Sequence, residues 1–254
     1  AYLDRAAAIA HAQQLIAAGA DIIDIGGEST RPGADPVSAD DECARVVPVI
    51  EALAALDGPP ISIDTTKASV ARAAVAAGAR IVNDVSAGSI DPEMLALVAD
   101  TGAGYVAMHM QGEPRTMQDA PTYRDVVGEV GTHLRSRAAA AIAAGIAPDA
   151  LCADPGIGFG KTIDHNVALL RHLPELREMA GIPLLVGTSR KRFLGTLARP
   201  SAPLDVAERA EATTASVVWC FAQGVAAVRV HDVAAAVVAR RIWMRAQQQQ
   251  SRKR

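Results

Sequence analysis

The residues able to do chemistry sit at the ends of short apolar runs. Glu28-Ser29-Thr30-Arg31 follow one run, Asp64 and Thr65 end a second, and Asn83 and Asp84 lie in a third. His109 ends a fourth and Asp154 a fifth, Ser189-Arg190-Lys191 follow a sixth, and Arg229, His231 and Asp232 end a seventh. These groups fall into two chemical sets. Asp64, Asn83 and Asp154 accept hydrogen bonds, and a carboxylate can take two adjacent N–H groups side by side, which suits a flat nitrogen heterocycle. Arg31, Lys191, Arg229 and His231, with the hydroxyls of Thr30 and Ser189, are donors and suit phosphate or carboxylate. Taken singly, each has a plainer reading: Asp64 before Thr65 could merely start a helix, as N-caps do. Seven polar strand ends together are hard to explain by capping, because a buried charge costs several kcal/mol unless it is paired or given a ligand.

The elements that must position these groups alternate regularly. β-branched runs at 21–25, 61–64, 81–85, 105–109, 151–154, 184–187 and 227–230 read as seven strands. Ala/Leu/Arg-rich stretches at 6–18, 68–77, 124–144, 166–179 and 209–223 read as helices, each closed by a glycine (Gly19, Gly78, Gly145, Gly181, Gly224). Strand–helix alternation is the signature of a parallel sheet. In an α/β barrel the C-terminal strand ends and the loops after them converge on one mouth. A barrel closes with eight strands, whereas this chain opens on a helix, so the pattern reads as an open sheet or as a barrel whose first strand lies outside the sequence. Residues 1–246 read as one domain and 247–254, Gln247-Gln248-Gln249-Gln250-Ser251-Arg252-Lys253-Arg254, as a polar disordered tail, the frayed end of the last helix.

Composition agrees. Half of the 254 residues are apolar, enough for a sizeable core, while aromatics are only 3%. That favours packed helices over an aromatic platform for single-stranded nucleic acid. A net charge of −3 argues against a nucleic-acid partner. No uninterrupted apolar stretch is long enough for a membrane span, and no secretory signal is evident at the start. Three widely spaced cysteines, Cys43, Cys152 and Cys220, fit buried small side chains in a reducing cytoplasm better than a disulfide framework or a zinc site.

Some motif-like stretches carry less than they promise. Gly156-Ile157-Gly158-Phe159-Gly160-Lys161 has neither P-loop nor dinucleotide spacing and reads as a flexible loop over the pocket. His109, flanked by Met108 and Met110, has no second metal ligand at helical spacing. His11, His133, His165 and His172 read as solvated or capping residues, and no nucleophile elbow of the Gly-x-Ser-x-Gly type is present.

Together the strand-end segments resemble the dihydropteroate synthase family. The resemblance is carried by Gly26-Gly27-Glu28-Ser29-Thr30-Arg31-Pro32-Gly33, Ser62-Ile63-Asp64-Thr65, Val82-Asn83-Asp84-Val85-Ser86 and Met108-His109-Met110-Gln111-Gly112. It continues through Asp154-Pro155-Gly156-Ile157-Gly158-Phe159-Gly160-Lys161, Ser189-Arg190-Lys191-Arg192-Phe193-Leu194-Gly195 and Arg229-Val230-His231-Asp232-Val233. It implies a TIM barrel that condenses 6-hydroxymethyl-7,8-dihydropterin diphosphate with p-aminobenzoate, uses Mg²⁺, is a homodimer and is a sulfonamide target. Asp64, Asn83, Asp154 and Lys191 would grip the pterin. Thr30, Arg31, Arg229 and His231 would hold the diphosphate, while Pro32, Phe159, Ser189 and the Lys191 stem would shape the p-aminobenzoate slot. Asp64, Lys191, Arg229 and His231 would carry catalysis.

The resemblance also implies something this sequence does not contain. The family's metal-binding Asn belongs to a first strand, with a following loop, whose end Ala1-Tyr2-Leu3-Asp4 resembles; no metal ligand is therefore assigned within the chain, and a shortened N-terminus is expected. Two rival readings are a methyltetrahydrofolate-type methyltransferase barrel, which would not be expected to carry the Ser189–Lys191 and Arg229–His231 anion clamp, and a non-catalytic pterin-binding relative.

Overall fold

The computed structural model describes residues 4–29, 35–112 and 116–251, with side chains through Gln247. Seven parallel strands are present among them: β1 (Ile23–Gly26), β2 (Ile61–Asp64), β3 (Ile81–Asp84), β4 (Gly104–Met108), β5 (Leu151–Asp154), β6 (Leu185–Val186) and β7 (Ala227–Val228). β1 to β5 form one sheet in sequential order, β6 and β7 a second, and a bridge from Ala153 to Leu184 joins the two. Helices cross over between strands: α1 (Arg5–Ala17), α2 (Ala39–Ala54), α3 (Ala68–Ala76), α4 (Met94–Thr101), α5 (Val126–Ala143), α6 (Ile163–Arg171), α7 (Leu173–Ala180), α8 (Arg192–Ala198), α9 (Ala210–Ala222) and α10 (Val233–Ser251). This is a TIM barrel.

Burial explains the strands. All four residues of β2 are buried, as expected where helices cover one face of a parallel sheet and side chains fill the other. Ile50, Ile63, Leu97, Leu134, Leu169 and Leu176 are essentially inaccessible within one contiguous core. Burying each such side chain contributes about 1.5–3 kcal/mol. Register then fixes the mouth: Gly26 aligns with Asp64, Asp64 with Asn83, and Met108 with Asp154. The polar strand ends thus share one end of the barrel.

The structure corrects several expectations. The strands are shorter than the apolar runs at 21–25, 184–187 and 227–230. The helix expected over 166–179 is two, α6 and α7, broken at His172, whose φ of −109° and ψ of 25° cap both. Pro174 is the cause: within a continuous helix it would leave the Leu170 carbonyl without a backbone donor, whereas in the first turn of α7 its missing N–H costs nothing. α2 carries Pro48 in its interior and α4 is only eight residues long, so neither stood out as a helix. α10 runs on to Ser251, so the glutamines of the polar tail, read as the frayed end of the last helix, continue it; glutamine is a good helix former, and 252–254 lie outside the described residues. The five helix-closing glycines all have positive φ. No helix among the described residues is long and apolar enough to cross a membrane.

Candidate active site

One side of the mouth is held by charge. Arg229, just beyond β7, places Nε 2.7 Å from Asp24 Oδ2 and a terminal nitrogen 2.7 Å from Asp64 Oδ2. It thereby links the last described strand to the first two. The Asn83 side-chain amide donates to Asp24 at 3.4 Å. Burial pushes the Asp64 carboxyl up to about 7 against the pull of Arg229, and the neighbouring Asp24 and Asp84 push it the same way. The two aspartates hold Arg229 firmly protonated. Asp84 is itself wholly buried but satisfied: it accepts from the Ser86 N–H and hydroxyl, the Gly88 N–H and the Tyr105 hydroxyl at 2.7–2.9 Å. It braces the turn after β3 and does not face a ligand.

The opposite side is held by backbone. Asp154 ends β5 and accepts from the Gly156 N–H at 2.7 Å. Its carboxyl is raised by burial, opposed chiefly by Lys191. Lys191 donates to the Ile157 carbonyl and lies 4.8 Å from the centre of the Phe159 ring, a cation–π distance. Burial lowers the Lys191 ammonium to about 8, with Asp154 resisting. The glycine-rich segment 156–161 is therefore not a flexible flap. Ile157 is fully buried and Lys161 is 3% exposed. At Gly156 a side chain would collide with the His109 carbonyl oxygen, and at Gly160 with that of Gln111; both have positive φ, 65° and 60°. Glycine is required for this close approach.

A turn after β6 supplies the rim. Arg190 adopts φ 57°, uncommon without glycine. The turn is secured by its N–H to Thr213 Oγ1 at 3.1 Å and by Arg209 donating to its carbonyl at 2.9 Å. Ser189 is thereby turned toward His231: its Oγ accepts the His231 backbone N–H at 3.2 Å and lies 2.9 Å from Nδ1. Either the hydroxyl or the ring can supply the proton of this second contact, because the hydroxyl has one O–H and two lone pairs. Ser189, read from the sequence with the p-aminobenzoate slot, is in hydrogen-bond contact with His231 of the diphosphate set.

Of the expected site residues, Asp64, Asn83, Asp154, Phe159, Ser189, Lys191, Arg229 and His231 gather at this mouth. Thr30, Arg31 and Pro32 lie outside the described residues. Their segment is flanked by a described anchor: Glu28 accepts the Val37 N–H at 2.8 Å and pairs at 2.6 Å with Lys67, which also pairs at 2.6 Å with the fully buried Glu42.

Two residues were missed by the sequence reading. Asp24 was passed over as part of a strand, although an acid inside a parallel strand was the same signal that singled out Asn83. Lys161 carried no signal, because a lysine after a glycine-rich loop is ordinarily solvated. The histidine expectation holds for His165, which caps α6 with Thr162, and for the exposed His172, 3.0 Å from Glu175. It fails for His133, which packs edge-on 4.8 Å from His109 with its Nε2 buried and unpartnered. Burial pushes the thiols of Cys152 and Cys220 up to about 12, so neither is a nucleophile. No cluster of three or more His, Cys, Asp or Glu able to hold a metal occurs among the described residues.

Comparison with known proteins gives a consistent picture. Residues 1–231 match the family described as pterin binding enzyme. The dihydropteroate synthase of Neisseria meningitidis serogroup C is 50% identical over 241 residues, covering 93% of this chain and 82% of that protein. A crystal structure of the Yersinia pestis dihydropteroate synthase in a sulfonamide drug complex superimposes with a TM-score of 0.90 at 42% identity, covering 96% of this chain and 87% of that one. The Xanthomonas albilineans enzyme in complex with 7,8-dihydropteroate matches with a TM-score of 0.85 at 43% identity, covering 96% and 85%.

Proposed function

The chain belongs to the pterin-binding enzyme family, and from that premise we propose how its residues divide the work of a dihydropteroate synthase. The enzyme is a transferase of folate biosynthesis. It condenses 6-hydroxymethyl-7,8-dihydropterin diphosphate with p-aminobenzoate to give 7,8-dihydropteroate and diphosphate.

In this reading Asp154 and Asn83 take the N–H and carbonyl edge of the pterin, with Lys191 beside them. The bond between the pterin methylene carbon and the diphosphate oxygen breaks, and its electron pair leaves with the diphosphate. Arg229 and His231 meet the charge that develops there, as do Thr30 and Arg31. Preorganised donors of this kind are worth on the order of 10²–10³ each in rate. The ionised Asp64 carboxylate faces the cationic pterin left behind. The aniline nitrogen, placed by Pro32, Phe159, Ser189 and the Lys191 stem, then forms the C–N bond and sheds a proton. No covalent nucleophile is needed, which agrees with the unreactive thiols. The observation that carries the assignment is the pairing of Asp24–Arg229–Asp64 on one side of the mouth with Asp154–Lys191–Phe159 on the other.

Mg²⁺ belongs to this proposal through the family resemblance. The diphosphate offers it hard oxygen ligands, and Mg²⁺ is commonly held by substrate phosphates with few protein groups. Asp24 and Asp64 each give one oxygen to Arg229, and among the described residues they belong to no cluster of three or more possible ligands, so we assign none of the described residues as a ligand and derive no step through the ion. We further propose a cytoplasmic homodimer. Exposed Val218 and Trp219 on α9 and Val238, Ile242 and Met244 on α10 support self-association.

The test is diphosphate release from dihydropterin diphosphate in the presence of Mg²⁺. Release that depends on added p-aminobenzoate is expected; no release while the pterin diphosphate still binds would overturn the synthase reading in favour of a non-catalytic pterin binder, and equal release with and without the aniline would overturn it in favour of a hydrolase.

A further inference from the structure

Lys161 is the most deeply buried cation at the mouth, and the reaction as described makes no use of it. Its Nζ lies 2.9 Å from His109 Nδ1, 2.9 Å from the Phe159 carbonyl oxygen and 3.4 Å from the His109 carbonyl oxygen. Burial lowers this ammonium to about 7, with Asp154 resisting; the charged form has three N–H groups, and here each meets one acceptor. His109 serves as that acceptor because burial and the Lys161 charge drive its ring toward the neutral form, down to about 2. With Nδ1 accepting, the ring proton sits on Nε2.

The consequence lies in what the three acceptors belong to. Two are on His109 at the end of β4; the third is the main chain of Phe159, in the loop that follows β5. Elsewhere this loop is tied by Gly158 N–H to Asn166 Oδ1 at 2.6 Å, by the Tyr123 hydroxyl to the Gly160 carbonyl at 2.9 Å, by Gln118 to the Gly158 carbonyl and by Lys191 to the Ile157 carbonyl. None of these bonds is to the N–H or carbonyl of Phe159, whose ring meets Lys191 and whose N–H goes to the Gly156 carbonyl at 3.0 Å, within the same loop. Lys161 is thus the link between the Phe159 peptide and β4. Asp154 does not depend on it in the same way, since its main-chain carbonyl accepts the His109 N–H at 2.9 Å and its carboxylate has the Gly156 N–H.

We propose that Lys161 is a positioning residue: its ammonium fastens the Phe159 main chain to the end of β4 and so fixes the aromatic wall of the p-aminobenzoate slot, leaving the pterin grip to Asp154. This rests on the assignment of Phe159 to that slot. Lys161 touches no substrate and works from behind the wall. A displacement of an ångström in a positioning group is enough to change catalytic constants substantially.

The experiment is a double-mutant cycle of Lys161→Met and Phe159→Ala, with KM for each substrate, kcat and thermal midpoint measured for every variant. Lys161→Met is expected to raise KM for p-aminobenzoate about tenfold, the scale of a lost charge-assisted hydrogen bond. KM for the pterin diphosphate should change by less than about threefold. In the double variant the p-aminobenzoate KM should be no worse than in Phe159→Ala alone, because the wall being fixed is already gone. Equal rises in both KM values, additive effects, or a lower thermal midpoint with unchanged kinetic constants would each overturn the proposal. A Phe159→Ala enzyme with an unchanged p-aminobenzoate KM would instead refute the slot assignment. Should Lys161→Met fail to fold, Lys161→Gln, whose amide still donates to one carbonyl, supports the same comparison.

Discussion

The two sides of the mouth hold their cations by different means. On the side of β1, β2 and β7, Arg229 rests between two carboxylates, Asp24 and Asp64. On the side of β4, β5 and β6, Lys161 and Lys191 rest on main-chain carbonyls of His109, Phe159 and Ile157. A carboxylate pair is exchangeable: an incoming diphosphate offers the same charge and geometry to a guanidinium. A carbonyl cradle is neutral and part of the backbone, so its lysines gain nothing by leaving. One side is built to re-pair as substrate arrives and leaves, the other to stay still and shape the ring-binding surfaces.

Breaking the exchangeable side has the largest expected effect. Arg229→Met removes the donor that meets the leaving diphosphate and leaves two facing carboxylates uncompensated, so kcat/KM should fall about 10³-fold or more in a diphosphate-release assay. Lys191→Met, on the fixed side, should cost about 10²-fold, mostly in kcat/KM for the pterin, because Asp154 loses its main counter-charge and is driven further toward its protonated form.

Asp64→Asn should cost about tenfold near pH 8, with a change in the pH profile that tells the two sides apart. The Asp64 carboxyl of the ligand-free enzyme titrates at about 7 and the Lys191 ammonium at about 8. The proposed reaction uses Asp64 ionised and Lys191 charged. kcat/KM should therefore fall as pH drops through 7 and fall again as it rises through 8, a bell reporting free-enzyme groups. In Asp64→Asn the acid limb should move down to that of Asp154, while the basic limb stays. An unchanged acid limb, or a variant retaining full turnover, would show that Asp64 does not stabilise the pterin cation.

The mildest probe is salt. Raising ionic strength screens exposed charges more than buried ones. Arg229 is 45% exposed in its side chain and Lys161 is 3% exposed as a residue. KM for the pterin diphosphate should thus rise severalfold between about 50 mM and 0.5 M salt, with KM for p-aminobenzoate nearly flat. Parallel rises would erase the distinction between the two sides.

What could be read from the sequence follows the same division. Asp64, Asn83, Asp154 and Arg229 were legible because parallel strands in a barrel should be apolar, and each breaks that rule. The seven strands and their glycine-closed helices were legible because the pattern is local and repeated. Lys161 and His133 were not: nothing in the type of either residue says that it is enclosed, and enclosure is made by chain that arrives from elsewhere. The break at His172 was a local signal overlooked, since Pro174 was already in view.

The Arg229 bridge has a consequence for the order of assembly. Its contact with Asp64 spans 165 residues, and a second tie between the same regions, Arg240 to Asp21, spans 219. Contacts that close such long stretches of chain are entropically the most expensive and are rewarded late in folding. The β4–β5 side, whose partners are near in sequence, can form while the C-terminal quarter is still unfolded; the diphosphate side cannot. On the proposed assignment, a nascent chain released before Arg229 would hold β1 to β6 and yet lack its diphosphate clamp, so that diphosphate binding would report that β7 has come up beside β1 and β2.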